Sequence, residues 1–192
     1  MRKKLIVATS NPGKLREMQE YLSGLNFQLE LKPDELEVEE TGATFMANAC
    51  LKASIVAKAL GEWAIADDSG LMVEALNGAP GIYSARYGKT DQARIERLLQ
   101  ELGDRGNRQA QFVCAVAIAR EDGSIAFQSE GVCHGEILFT PHGTGGFGYD
   151  PIFYVPQQGQ TFAEMKPEVK NQLSHRGLAF NALIPQIREI FK

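Results

Sequence analysis

Two adjacent acids, Asp67 and Asp68, follow directly on the apolar run Trp63-Ala64-Ile65-Ala66. Carboxylate oxygens are hard donors that suit Mg²⁺, a cation that takes one or two protein carboxylates and keeps several waters. If the run is a strand of an open α/β sheet, the acids stand at its carboxyl end, where ligands gather. Glu39 and Glu40 offer more of the same donor. Histidine numbers only 3 and has no metal-ligand spacing, so the pattern favours Mg²⁺ or Mn²⁺ over zinc. An acid pair after a strand is also an ordinary helix cap or turn, and the residues alone leave both readings open.

Ser10-Asn11-Pro12-Gly13-Lys14 lies where a strand should turn into a helix. Backbone N–H groups at a helix N-terminus are expected to point outward unsatisfied, and the helix dipole adds positive potential, which suits phosphate. The segment is not a Walker A loop, because G-x-x-x-x-G-K-[ST] is absent. A capped helix with a solvated lysine is the plainer account.

Gly143-Thr144-Gly145-Gly146-Phe147-Gly148-Tyr149-Asp150 combines glycines, which permit close backbone approach to a ligand, with two aromatics on which a flat ring could stack. The alternative is a glycine-rich turn whose Phe147 and Tyr149 plug the core. Lys170 and Ser174-His175-Arg176-Gly177 put cations and an imidazole ahead of a helix, as readers of a polar ring edge or a phosphate, or as plain surface. Phosphate cradle, metal carboxylates, aromatic shelf and polar edge-readers are together the parts that a nucleoside triphosphate site requires.

The elements that must position these groups are legible from periodicity. Lys4–Thr9 reads as a buried strand, Asn11 as a helix N-cap and Pro12 as the first helical residue. Leu15, Met18 and Leu22 recur at helical spacing until Gly24. Phe27, Leu29 and Leu31 alternate as in a strand. Thr41 is expected to open a second helix, with Phe45, Ala49, Ala53, Val56 and Leu60 along one stripe. A third helix should follow Thr90 and stop at Gly103. Residues 110–119 and about 124–138 read as long strands joined by the turn Glu121–Ser124. Ser174 should cap a last helix with Phe180, Leu183, Ile184, Ile187 and Phe191 inward, kinked at Pro185. The class is α/β with a mixed sheet, read as one folding unit over residues 1–192.

Composition narrows the partners. Of 192 residues, 20 are Lys or Arg and 24 are Asp or Glu, a formal net charge of −4 that counts against generic nucleic-acid binding. No apolar run approaches the roughly 20 residues of a membrane span. The basic opening Met1-Arg2-Lys3-Lys4 leads into an apolar stretch too short for a signal peptide. Three scattered cysteines, Cys50, Cys114 and Cys133, suit core positions in a cytoplasmic protein.

The stretches ATSNPGKLREM, EETGATFMANACLKA, ADDSGLMVEALNGAPGIYSARY, GTGGFGYDPIF and SHRG, in this order from Ala8 to Gly177, closely resemble the Ham1/RdgB family of inosine/xanthosine triphosphate pyrophosphatases. The resemblance implies Mg²⁺-dependent hydrolysis of noncanonical purine nucleoside triphosphates (ITP, dITP, XTP) to the monophosphate and pyrophosphate, by a homodimer. It implies an elongated mixed β-sheet flanked by helices, with two lobes around a nucleotide-binding groove. Thr9, Ser10, Asn11, Pro12, Gly13 and Lys14 would bind substrate phosphates, assisted by Lys52. Glu40 and Asp68 would hold the metal, and Asp68 would be the proton acceptor. Ser69, Phe147, Gly148, Tyr149, Asp150, Lys170, His175 and Arg176 would contact the nucleotide. Two departures stand out: a loop between Tyr87 and Asp91 shorter than in bacterial relatives, and His142 where arginine is common. The competing readings are a pyrophosphatase of other base preference and a nucleotide-binding module without catalysis.

Overall fold

The computed structural model describes residues 3–190; Met1, Arg2 and the expected core residue Phe191 lie outside the described residues. The elements in chain order are β1 (Lys3–Val7), α1 (Pro12–Tyr21), β2 (Phe27–Leu31), α2 (Phe45–Leu60), β3 (Trp63–Val73), α3 (Asp91–Leu102), β4 (Gln109–Ala119), β5 (Ile125–Ile137), β6 (Phe153–Val155), β7 (Gln160–Thr161), α4 (Pro167–Leu173) and α5 (His175–Ile190). One seven-stranded sheet runs in the order β2-β1-β3-β4-β5-β6-β7. Its first three strands are parallel, whereas β5, β6 and β7 pair antiparallel. The sheet is therefore mixed and the class α/β, as the periodicity predicts.

The chain divides into two compact units. The first comprises the residues through Asp68, Cys114–Gly131 and the residues from Arg176 onward; the second comprises Ser69–Val113 and Val132–His175. Strands β3, β4 and β5 have residues in both. Each unit has its own core. In the first, Leu5, Val7, Ile65, Cys114, Val116 and Ile118 of the sheet meet Met18 of α1, Leu22 at its end, and Phe180, Leu183 and Ile187 of α5. In the second, Leu98 and Leu102 of α3 pack with Leu71, Val73, Phe112, Phe153 and Phe162. Burying a side chain of this size contributes about 1.5–3 kcal/mol, so these stripes hold the helices against the sheet.

Most helix ends follow the expected chemistry. Asn11 caps α1 through its side chain, Pro12 opens the helix, and Thr90 caps α3 with Gly103 at its end. Three boundaries differ. Helix α2 starts at Phe45 rather than Thr41, because Thr44, with extended backbone, accepts the Ala47 N–H through Oγ1. Residues 41–43 are kept out of the helix by Asn48, whose Oδ1 takes the Gly42 N–H at 2.7 Å. Helix α4 has no counterpart in the sequence pattern, because its 7 residues carry too short a period to read. Ser174 ends α4 and immediately precedes α5, which continues through Pro185.

The third difference matters most. Strand β3 does not stop at Ala66 but continues through Asp67 and Asp68 to Val73, since Leu71 and Val73 belong to the second core. The acids lie mid-strand. Their exposure to chemistry comes from β1, whose register ends with Val7 opposite Ile65. Ala8 N–H donates to Ile65 O at 2.8 Å, and the chain then turns away into the cap of α1. Asp67 and Asp68 thus begin where their parallel neighbour ends, and the carboxyl end that opens beside them is that of β1.

Candidate active site

In the first unit, Asp67, Asp68 and Arg176, which are buried, and Lys14, Lys52 and Glu40, which are half-buried, form a network of opposite charges. Arg176, at 2% exposure, grips Asp67 Oδ2 through NH2 at 2.9 Å and Nε at 3.3 Å, and NH1 pairs with Glu17. Lys14 Nζ approaches the same Asp67 oxygen at 3.2 Å. Lys52 Nζ lies 2.5 Å from Glu40 Oε1 and 3.5 Å from Asp68 Oδ1, while Asn48 donates to Asp68 Oδ2 at 3.1 Å. Glu39, by contrast, is exposed, so only one of the two adjacent glutamates joins the cluster.

The adjacent aspartates are driven in opposite directions. Burial alone would raise Asp67, but Lys14, Arg176 and Lys52 outweigh it and hold that carboxyl well below the usual range. At Asp68 burial prevails over Lys52 and Lys14, with Glu40 adding repulsion, and its carboxyl is raised. Surroundings that push two adjacent acids apart suit one to remain an anion and the other to exchange a proton. Burial opposes the charge on Lys52 and Arg176 too, yet their acid neighbours raise both.

Glu40 and Asp68 converge on one ammonium, so two hard oxygen donors already share a cation position. Asp67 Oδ1 is buried and takes no hydrogen bond from any described residue, which leaves an oxygen for a cation or water to complete. Both observations fit Mg²⁺, for which one or two carboxylates and several waters suffice. Among the described residues no group of three or more His, Cys, Asp or Glu side chains stands together as a ligand set.

The cradle at α1 differs from expectation in its donors. Asn11 N–H donates to Thr9 Oγ1 at 3.1 Å, and Gly13 N–H and Lys14 N–H both donate to Asn11 Oδ1 at 2.8 and 3.2 Å. Pro12 has no N–H. The backbone donors from Asn11 to Lys14 are therefore satisfied by the cap itself, and what remains for an anion is the helix dipole with the side chains of Ser10 and Lys14. The capping strength of Asn11, which makes the helix start so legible, is what consumes them.

In the second unit the glycine-rich loop is tied down on several sides. Gly145 N–H donates to Ala163 O at 3.0 Å, Phe147 N–H to Asp150 Oδ2 at 2.9 Å and Gly148 N–H to Asp91 Oδ2 at 2.7 Å. Gly146, with φ of +72°, leaves no room for a Cβ against the Asp150 carboxylate. Lys170 Nζ pairs with Asp150 Oδ2 at 2.8 Å and stands 5.1 Å from the Phe147 ring centroid. Phe147 is half-buried. Tyr149 is buried, its hydroxyl donating to Ser84 O at 2.9 Å, so this aromatic plugs the core while Phe147 keeps the open position. Burial pushes the Tyr149 hydroxyl well up.

His175 and Arg176, read from the sequence either as readers of a polar ring edge or phosphate or as plain surface, are both buried, which removes the surface reading, and they belong to different units. The His175 ring stacks on Phe112 at 4.6 Å and 11°, and lies 6.1 Å from Phe162. Arg176 is committed to Asp67. One sits among aromatics, the other among acids. Ser69 is half-buried in β3, one residue past the acid pair. Sequence reasoning passed over Asn48, Glu17 and the central part of Asp67. A polar residue inside the apolar stripe of α2 was the signal for Asn48; Glu17, one turn after Lys14, carried none.

The Ham1 family profile matches residues 5–186. A dITP/XTP pyrophosphatase of a Nostoc species is 71% identical over 97% of this chain and 95% of its own length. One of Synechocystis is 64% identical over 95% of this chain and 94% of its own. Among solved structures, a HAM1 protein from Coxiella burnetii superimposes with a TM-score of 0.89 at 43% identity, covering 97% of this chain and 99% of that one. The Ham1 protein of Staphylococcus aureus gives 0.87 at 44% identity, with coverage of 97% and 99%.

Proposed function

The chain belongs to the Ham1 family, and on that premise we infer that it hydrolyses noncanonical purine nucleoside triphosphates (ITP, dITP, XTP) to the monophosphate and pyrophosphate. The observation that carries the mechanism is the different pairing of the two aspartates: Asp67 is locked between Arg176 and Lys14, whereas Asp68 stands beside Asn48, Lys52 and Glu40. Asp68, raised by burial, accepts a proton from the water that attacks the α-phosphorus. Asp67 stays ionised and fixes Lys14 and Arg176 around it. An ammonium carries three donors, so Lys14 and Lys52, each held by carboxylates, retain N–H groups for phosphate oxygens. Positioning and charge neutralisation of this kind carry most phosphoryl-transfer catalysis.

Glu40 and Asp68 would hold Mg²⁺, which supplies Lewis-acid polarisation of phosphate oxygens and of the attacking water. Thr9 and Asn11 act by building the cap, with Pro12 and Gly13 setting its turn; Ser10 and Lys14 face the phosphates. Arg176 belongs to the substrate-binding set through Asp67 rather than as a reader of the base.

Phe147 offers the purine a stacking face, and Gly148, Tyr149, Asp150 and Lys170 hold that face in place, with Ser69 joining the nucleotide-contacting set. His175 is the donor for the 6-keto oxygen that hypoxanthine and xanthine share. Adenine, with an amino group there, would leave such a donor unpaired, which costs about 1–3 kcal/mol.

Tyr83 and Phe139 are 60% and 61% exposed, the sort of apolar surface that a second copy covers in a homodimer. No helix among the described residues is long and apolar enough to cross a membrane. Cys50, Cys114 and Cys133 are unbridged, which supports a cytoplasmic location. The continuity of β3, β4 and β5 through both units supports reading residues 1–192 as one domain. The test is turnover of dITP, ITP and XTP against ATP and GTP, with and without Mg²⁺, scoring products. Preferential release of pyrophosphate from the first three is expected; stepwise release of phosphate, or no preference over ATP, would overturn the reading.

A further inference from the structure

We propose that Asp91 is a positioning residue for the glycine-rich loop and, through that loop, sets how tightly and how selectively the purine base is held. The inference rests on the reading of Phe147 as the base-stacking face. Asp91 is the first residue of α3, and its two carboxylate oxygens face different ways. Oδ2 accepts the Gly148 N–H at 2.7 Å, and Oδ1 accepts from Arg94 NH1 at 2.6 Å. Arg94 is itself fixed, since Nε donates to Gly88 O at 3.1 Å. A side chain braced at one oxygen thus holds the loop with the other.

The bond falls where the loop most needs it. Gly148 has a φ of +63°, a conformation that glycine tolerates and that carries the chain from Phe147 into the buried Tyr149. Other ties flank this point, among them Gly145 on Ala163, Phe147 N–H on the neighbouring Asp150, and the Tyr149 hydroxyl on Ser84. Of these, the Asp91 bond is the one made to a charged group from a separate helix, and ionic acceptors make the stronger hydrogen bonds. Phe147 and the Asp150–Lys170 pair move with this arc. In the first unit, Lys14 and Lys52 are held by other residues, Asp67, Glu40 and Asp68. Loss of the bond should therefore weaken base binding and leave the chemical step nearly alone.

The experiment compares Asp91→Ala, which removes the acceptor, with Asp91→Asn, which keeps an amide oxygen for Gly148. Hydrogen exchange is followed over residues 143–150, and kcat and KM are measured for dITP and dATP with Mg²⁺. For Asp91→Ala we expect faster exchange and a KM for dITP raised about tenfold, the size one charge-assisted bond carries, with kcat within about twofold. The dITP:dATP preference should narrow by a similar factor, and Asp91→Asn should recover most of each loss. Unchanged KM and preference in Asp91→Ala would overturn the proposal, as would equal losses in both variants, which would assign the effect to charge at the start of α3. A wild-type protein inert towards dITP would overturn the function reading instead. The exchange comparison needs no substrate: unaltered exchange in Asp91→Ala would still contradict the positioning role, and faster exchange would support it.

Discussion

The charged cluster of the first unit and the glycine-rich loop of the second are built by opposite means. The cluster draws most of its groups from regular elements: Lys14 and Glu17 on α1, Asn48 and Lys52 on α2, the aspartates on β3 and Arg176 on α5, with Glu40 alone supplied by the segment ahead of α2. Its side chains are buried or half-buried and mutually paired, so the network supports itself. The loop has few long side chains of its own. Its shape comes from positive-φ glycines at 143, 146 and 148 and from acceptors lent by Ala163, Asp91 and Ser84. A site of the first kind should fail through charge, whereas one of the second kind should fail through geometry.

The largest expected effect is at Asp68, the proposed proton acceptor. Asp68→Asn should lower turnover of dITP by about 10²–10⁴-fold, the range a positioned general base supplies. Because the Asp68 carboxyl is raised in the fold, its ionisation costs stability as pH rises through the carboxylate range. The inactive Asp68→Asn variant should accordingly melt no lower than wild type at neutral pH. A lower melting temperature would show that the carboxylate is stabilising and that burial does not dominate there.

Asp67 should behave in the reverse sense. Its carboxyl is depressed, so its contribution is complete above the unfolded value near 3.9 and fades as pH falls below it. Asp67→Asn should lose about 3–5 kcal/mol in urea unfolding at pH 7, since Arg176 is left buried without its main partner. The difference from wild type should shrink as the pH drops below about 4. A loss that is independent of pH would locate it in packing rather than charge.

The loop should yield smaller, geometric effects. Phe147→Ala should raise KM for dITP by about 10-fold, as removal of one stacking face does, with less change in kcat. Tyr149→Phe removes the bond to Ser84 O and should cost about 1 kcal/mol of stability, with KM within twofold. If Tyr149→Phe moved KM as far as Phe147→Ala, both aromatics would serve the base, and the separation of shelf from plug would fail.

The same contrast explains what could be read from the chain. Helix starts at Asn11 and Thr90, the stripe along α2 and the hairpin at Glu121–Ser124 follow local rules, and the structure has them. The charges that meet in the cluster were recognised by type, but not who pairs with whom. That Arg176 would find Asp67, 109 positions away, depends on α5 packing beside β3, which no local pattern encodes. The extension of β3 past Ala66 was hidden because acids inside a strand contradict its propensity, and tertiary pairing overrode that preference. The cap at Asn11 was legible, yet its consequence, the occupation of the N–H groups intended for phosphate, required the geometry. In the loop, glycine spacing suggested close approach, but only coordinates separate the half-buried Phe147 from the buried Tyr149.

The division of labour between adjacent carboxyls is open to direct observation by carbon-detected NMR of the aspartate side chains during a pH titration of the native protein. Asp68 should take up its proton at a pH above the ordinary aspartate value, while Asp67 should stay ionised well below that value. Both groups titrating together at ordinary values would contradict the mechanism, whatever the variants do.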